Sequence, residues 1–486
     1  MILANGWIVT MDDAGTEYER GWLRIESGLI AELGAGDPPE ARPRTTAPAP
    51  TPPPRVGSEP PATRQDRRPP EEPGASRPSQ QERDDLSTAT AVRDLGGAVV
   101  TPGLVNTHHH LYQTLTRARA QQADLFTWLR TLYPVWARLD AEMEYAAART
   151  GLAELALSGC STVFDHHYVF PRGVTGLIEA ELQAARELGL RLVASRGSMD
   201  LGVSDGGLPP DELAEDLDAI LADTERLAGL ADGDLVGIAV APCSPFSVTT
   251  RLMEESAALA RRLGLQLHTH LAETVEEEAY CKELYGCTPV EYLERVGWLD
   301  GDVWCAHCVH LSEPEVERVA AAGVGVAHCP TSNLRLGAGT APVRELLAAG
   351  ARVGLGVDGS ASNERSDICF EVKQALLAAR GRGGGEAMTA RDALRLATRG
   401  GASVLRRDDI GSLEPGKRAD VAIWRTDGLE LGGAEDLPAA LVLSAPHRVD
   451  TLLVGGREVV RDGRLTHASE QEIAREHRIQ AGRLWR

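Results

Sequence analysis

The sequence predicts an α/β protein, a closed (β/α)₈ TIM barrel carrying a small β-sandwich domain formed by both termini. Two observations predict it. Between residue 98 and about 365, eight short apolar runs alternate with amphipathic helical stretches, the pattern of parallel strands buried under crossover helices. Both ends of the chain instead show short bursts of strand-forming residues broken by glycine turns.

In chain order, Ile8-Val9-Thr10, Trp22-Leu23-Arg24-Ile25 and Gly28-Leu29-Ile30-Ala31 read as small antiparallel strands, so residues 1–37 are assigned to the sandwich. Residues 38–90 form an insertion. Fourteen of the 28 prolines lie between Pro38 and Pro78, mixed with Arg, Glu, Ser and Thr, and so little of this could enter a core that disorder is expected. The barrel, 98–406, has runs at 98–107, 161–168, 191–198, 235–243, 265–271, 303–309, 324–329 and 352–358. Helical stretches at 140–158, 175–189, 251–263, 289–296 and 313–322 lie between them. Several of these stop at a glycine (Gly159, Gly189, Gly264, Gly323), the residue that ends a helix in a left-handed turn at least cost. Residues 384–406 also look helical. Short strands return at Ile410–Trp424 and Val449–Val460, so 410–465 completes the sandwich, and 466–486 is a C-terminal helix.

Composition narrows the function classes. A chain of 486 residues can bury one large core and a smaller lobe, and a net charge of −21 argues against nucleic acid or an anionic membrane as partner. No stretch of 18 apolar residues occurs, and the start, MILANGWIVTMDDAG, lacks the basic and apolar regions of a signal peptide. Eight cysteines without framework spacing fit a reducing cytoplasm, and Cys305-x-x-Cys308 sits inside an apolar run with no second pair, so it reads as coincidence. A cytoplasmic homo-oligomer is expected.

The strand ends carry the chemistry. His108, His109 and His110 close the first run; strand side chains alternate, so His108 and His110 share one face and could grip one metal ion while His109 packs outward. The fifth run ends in His268 and His270, followed by Glu273; the sixth brings His307 and the eighth Asp358. In a barrel all of these converge at one mouth. His268 lies one pleat deeper and reads as a brace, and His310 and His328 as structural residues. Of His166 and His167, one is expected to face the pocket.

The segments PGLVNTHHH, HTHLAET, AHCVHL, HCPTSNLRLG, GLGVDGSASN and GSLEPGKRADVAIW resemble the amidohydrolase superfamily, in its single-metal aminohydrolase (deaminase) branch. They span the chain apart from the insertion. The resemblance implies metal ligation by His108, His110, His270 and Asp358. Binuclear members carry a lysine on the fourth strand, and LVGIAVAPCSPF has none, so one Zn²⁺ is expected, with Fe²⁺ as the alternative. It further implies that Asp358 accepts a proton from the attacking water, that His307 orients that water, and that Glu273 carries a proton to the substrate ring.

The substrate expected is a small purine- or pyrimidine-like base. Gln113, three residues past His110, resembles the glutamine that reads the base in related deaminases. Where relatives carry Pro-Arg or Pro-His on strand four this chain has Pro242-Cys243, and LFTWL (125–129) lacks the glutamate that nucleoside deaminases place on the ribose. A free base is expected. The combination resembles members acting on 8-oxoguanine, with s-triazine aminohydrolases as near relatives; Tyr168, Trp128 and Cys243 are the expected pocket walls.

Overall fold

The computed structural model describes residues 1–39, 91–446 and 448–486. The insertion expected over 38–90 lies, from residue 40 onward, outside the described residues. Eight parallel strands close a barrel: Leu104–Asn106, Cys160–Asp165, Arg191–Ser198, Val236–Pro242, Leu267–Leu271, Val303–His307, Gly325–His328 and Arg352–Leu355. The last pairs back to the first at Leu355 and Asn106. Seven fall within the apolar runs, and the second, Cys160–Asp165, begins one residue before its run.

One run divides. Val99–Pro102 pairs antiparallel with Val421–Trp424 in the terminal sheet, and only Leu104–Asn106 enters the barrel. Gly103 is the crossing point: a Cβ there would come within 2.5 Å of Ser161 Oγ, so only glycine lets the chain pass so close to the second strand. Composition could not reveal this, because both halves are fully buried and equally apolar.

Helices Ala141–Leu157, Leu177–Leu188, Thr250–Leu263, Pro289–Arg295 and Glu313–Ala321 cover the barrel. Their ends follow local chemistry. The Asp140 and Thr249 side chains accept from the amides of Met143 and Leu252, caps worth about 1 kcal/mol each. Gly189 and Gly264 terminate helices at φ +74° and +69°. The region 384–406 is only partly helical: a helix from Ile368 ends at Gly383, and helix resumes at Ala390.

The terminal strands form one nine-stranded sheet. Ile2–Val9, Glu17–Glu26 and Leu29–Ala35 come from the N-terminal end; Val421–Trp424, Thr451–Val454, Arg457–Arg461 and Arg464–Leu465 from the C-terminal end. Val99–Pro102 sits between the two sets, and Val92–Asp94 pairs beside Ile2. The sheet bends over on itself, since Ile30 N donates to Lys417 O at 2.8 Å and Gly416 N to Ile30 O at 2.8 Å. The fold encloses a separate apolar core that includes Leu3, Ile8, Leu23, Val100 and Val421. The buried Arg191 of the third barrel strand pairs with Asp420 and fastens this layer to the barrel floor. The C-terminal helix, Glu470–Leu484, lies against Ala141–Leu157 through Arg483–Asp140 and Glu476–Arg149 pairs. Among the described residues no helix is long and apolar enough to cross a membrane, and all eight cysteines are buried free thiols.

Candidate active site

Pleat alternation sorts the first strand as expected. His109 turns outward and its Nε2 lies 2.9 Å from Ser366 Oγ. His108 and His110 turn inward, and each Nε2 lies 3.3 Å from Asp358 Oδ1. His270 Nε2 lies 3.3 Å from His110 Nε2. All four side chains are buried.

Their hydrogen bonds fix which ring nitrogen carries the proton. A carbonyl only accepts, so His110 Nδ1 donates to His166 O at 2.7 Å and His270 Nδ1 to Cys243 O at 2.7 Å. His268 Nδ1 likewise donates to Trp304 O at 3.0 Å, which leaves its Nε2 to accept from His108 Nδ1 at 2.9 Å. For His108, His110 and His270 the Nε2 lone pair is left facing the common centre. His108 Nε2 has no hydrogen-bond partner at all. The brace expected of His268 is thus a specific one, holding the His108 tautomer.

Burial drives His108 down to about 3, and His270 well below its usual value, with the neighbouring imidazoles adding to the effect. Both rings are neutral. Burial alone would raise Asp358, but the His108 and His110 rings beside it hold its carboxyl well below the usual range, so it is ionised. Three imidazole nitrogens and one carboxylate fit a divalent ion of the zinc or iron type. A fourth histidine, His166, joins the cluster: its Nε2 donates to Ala241 O at 2.9 Å and its buried Nδ1 has no partner.

Glu273 and His307 stand beside this centre, with His307 Nε2 3.7 Å from Glu273 Oε2. Burial, then the charges of Asp358 and Glu277, push the Glu273 carboxyl well above its ordinary value, so it holds a proton. The loop carrying it is fixed by Glu277, which accepts from Ala272 N at 2.8 Å and Glu273 N at 3.0 Å. His307 Nδ1 donates to Asn333 Oδ1 at 2.9 Å, leaving Nε2 toward Glu273. Ala272, His307 and Asp358 all adopt positive φ, at +49°, +72° and +62°. Such conformations cost about 1–3 kcal/mol each and are held here by the surrounding barrel.

A cavity opens over the cluster. The four expected substrate contacts, Gln113, Cys243, Tyr168 and Trp128, all line it, with His110, His270, Glu273, His307 and Asp358 at its base. Among the described residues the lining contains no Lys or Arg. The Gln113 amide donates to Tyr112 OH at 3.5 Å, and its Oε1 is buried without a partner. That amide occupies the space a side chain at Gly359 would need. Trp128 is a wall, its indole N–H being already engaged with Ala361 O at 3.1 Å. Tyr133, Phe246 and Leu336 also line the cavity and were not anticipated; Tyr133 sits on the apolar face of helix Leu125–Trp136, where sequence periodicity marks it only as core.

Residues 99–459 match the family described as Amidohydrolase family. The chain belongs to that family. It is 49% identical to 8-oxoguanine deaminase of Pseudomonas aeruginosa over 397 residues, covering 80% of this chain and 88% of that protein. It is 37% identical to hydroxydechloroatrazine ethylaminohydrolase of Pseudomonas sp. (strain ADP), covering 78% and 81%. The structure of atrazine chlorohydrolase from Arthrobacter aurescens TC1, complexed with zinc, superposes with a TM-score of 0.84 at 30% identity over 99% of both chains. This amidohydrolase is therefore an enzyme, a metal-dependent hydrolase of the deaminase type.

Proposed function

We propose that this amidohydrolase deaminates 8-oxoguanine to uric acid and ammonia, with guanine-like and isocytosine-like rings as side substrates. The observation that carries the reading is the small cavity, free of charged side chains except at the metal corner, with the partnerless Gln113 Oε1 on its edge. It suits a neutral planar base whose ring N–H satisfies that oxygen, and offers nothing for a phosphate or carboxylate. The likeness to 8-oxoguanine deaminase supports the same choice.

His108, His110, His270 and Asp358 would hold one Zn²⁺. When bound, such an ion supplies a water acidified enough to attack at neutral pH. Asp358, ionised and beside it, accepts a proton from that water. His307 Nε2 accepts a hydrogen bond that orients the water. Protonated Glu273 gives its proton to the ring nitrogen next to the amine-bearing carbon, which makes that carbon electrophilic. Oxygen adds to the carbon, the proton held on Asp358 passes to the amine, and the C–N bond breaks to release ammonia as the added hydroxyl becomes a carbonyl and its remaining proton returns to Glu273. Gln113, Cys243, Tyr168 and Trp128 position the base and exclude bulk water.

A second reading, an s-triazine aminohydrolase, is favoured by the relative of that type and by the triazine-hydrolase fold match. An ammonia-release screen over 8-oxoguanine, guanine, isocytosine, an aminated s-triazine and S-adenosylhomocysteine separates them. The highest kcat/KM is expected on 8-oxoguanine. Preference for the triazine establishes the second reading, and preference for the nucleoside overturns both.

A further inference from the structure

We infer that the Tyr133 hydroxyl determines specificity by hydrogen-bonding the second ring of a fused substrate; this rests on the function proposed above. Most polar groups lining the cavity are already engaged. Trp128 Nε1 donates to Ala361 O, Ser244 Oγ pairs with Ser247 Oγ at 2.8 Å, and Ser362 Oγ donates to Gly359 O at 3.2 Å. Two fully buried atoms of the lining residues have no hydrogen-bond partner, Gln113 Oε1 and Tyr133 Oη.

Tyr133 is 1% exposed. The polar neighbour it faces is the Cys243 thiol, a weak acceptor. Phenylalanine would fill the same space without a hydroxyl to satisfy, and a thiol satisfies a hydroxyl poorly, so the hydroxyl is left for a group that enters the cavity. The topology separates the two orphans. Gln113 lies against Gly359, just past the eighth strand, and Cys243 follows the fourth. In a closed eight-stranded barrel the fourth and eighth strands stand opposite each other. A ligand meeting both orphans must span the mouth. A single ring held at Gln113 and the metal corner leaves Tyr133 unmet, and a fused second ring with its own N–H or carbonyl reaches it.

The test compares wild type and Tyr133→Phe on 8-oxoguanine and on isocytosine, which keeps the 2-amino-4-oxo fragment but has no second ring. With metal content unchanged, kcat/KM on 8-oxoguanine is expected to fall about 10- to 100-fold, the loss when a buried polar partner is stranded, while isocytosine turnover is retained. A fused-to-single-ring ratio within about threefold of wild type overturns the inference, as does an equal loss on both substrates. If the wild-type screen selects a different fused ring, the 8-oxoguanine assignment fails, and the same ratio measured on that ring still decides the role of Tyr133. Turnover of single rings alone overturns the inference together with the 8-oxoguanine reading.

Discussion

The first two barrel strands build two histidine clusters back to back, and the clusters behave in opposite ways. Inside the barrel, His108, His110, His166 and His270 face one another and Asp358. Outside it, His167 points between two covering helices, its Nδ1 2.8 Å from Glu181 Oε1 and 3.7 Å from Glu144 Oε2, with Nε2 donating to Val169 O at 2.9 Å. The side chains of both clusters are buried. Burial opposes charge on every one of these rings, yet His108 and His270 are driven down while His167 is raised well above its ordinary value by Glu144 and Glu181. Neighbours decide the sign. Imidazoles gathered with one carboxylate stay neutral and keep lone pairs free; an imidazole between two carboxylates keeps its second proton and becomes a counter-ion holding strand to helices.

The strongest way to break this contrast is to remove a proton carrier from the inner side. Glu273→Gln is expected to retain metal and lose about 10²- to 10⁴-fold in kcat, since general acid–base catalysis is worth that much. Steady-state rates beside metal analysis check it, and an unchanged kcat removes Glu273 from the mechanism.

His268→Phe sharpens the inner side. Losing the ring that fixes the His108 tautomer is expected to weaken metal affinity about 10- to 100-fold, read by competition with a chelator, with kcat recovering at saturating metal. Affinity equal to wild type would make His268 mere filler.

On the outer side Glu181→Gln is expected to leave kcat/KM and metal content unchanged and to alter only the dependence of stability on pH. Burial pushes the Glu181 carboxyl up to about 7, and His167 is raised as well. Both groups bind protons more tightly in the folded chain, so their contribution is complete below their unfolded values and is lost as pH rises through the folded ones. Glutamine mimics the protonated acid. With that titration removed, the stability of the variant should fall less than that of wild type as pH rises from 4.5 through about 7, which thermal melts across that range would show. Parallel melting curves for the two proteins would refute the proton-holding role.

Much of this was legible in advance. Alternation at His108-His109-His110 separated the inward-facing His108 and His110 from the packing residue His109, and strand-end placement brought His270, His307 and Asp358 to the same mouth. What escaped has physical causes. The break at Gly103 joins two equally apolar strands. Asn333 lies in a quoted motif, but its role exists only because its amide reaches His307. Tyr133 occupies an ordinary helix-core position, and nothing local distinguishes a tyrosine that faces a cavity from one that packs.

By itself the sequence determined the order of strands and helices, the sandwich formed by both termini, and the phase that sends His108 and His110 inward, because those depend on local periodicity. Only the tertiary structure decided which histidines are neutral, which nitrogens keep a free lone pair, and which polar atoms are left for a substrate. Those properties belong to contacts between residues 26 to 257 positions apart in the chain, and no periodicity records them.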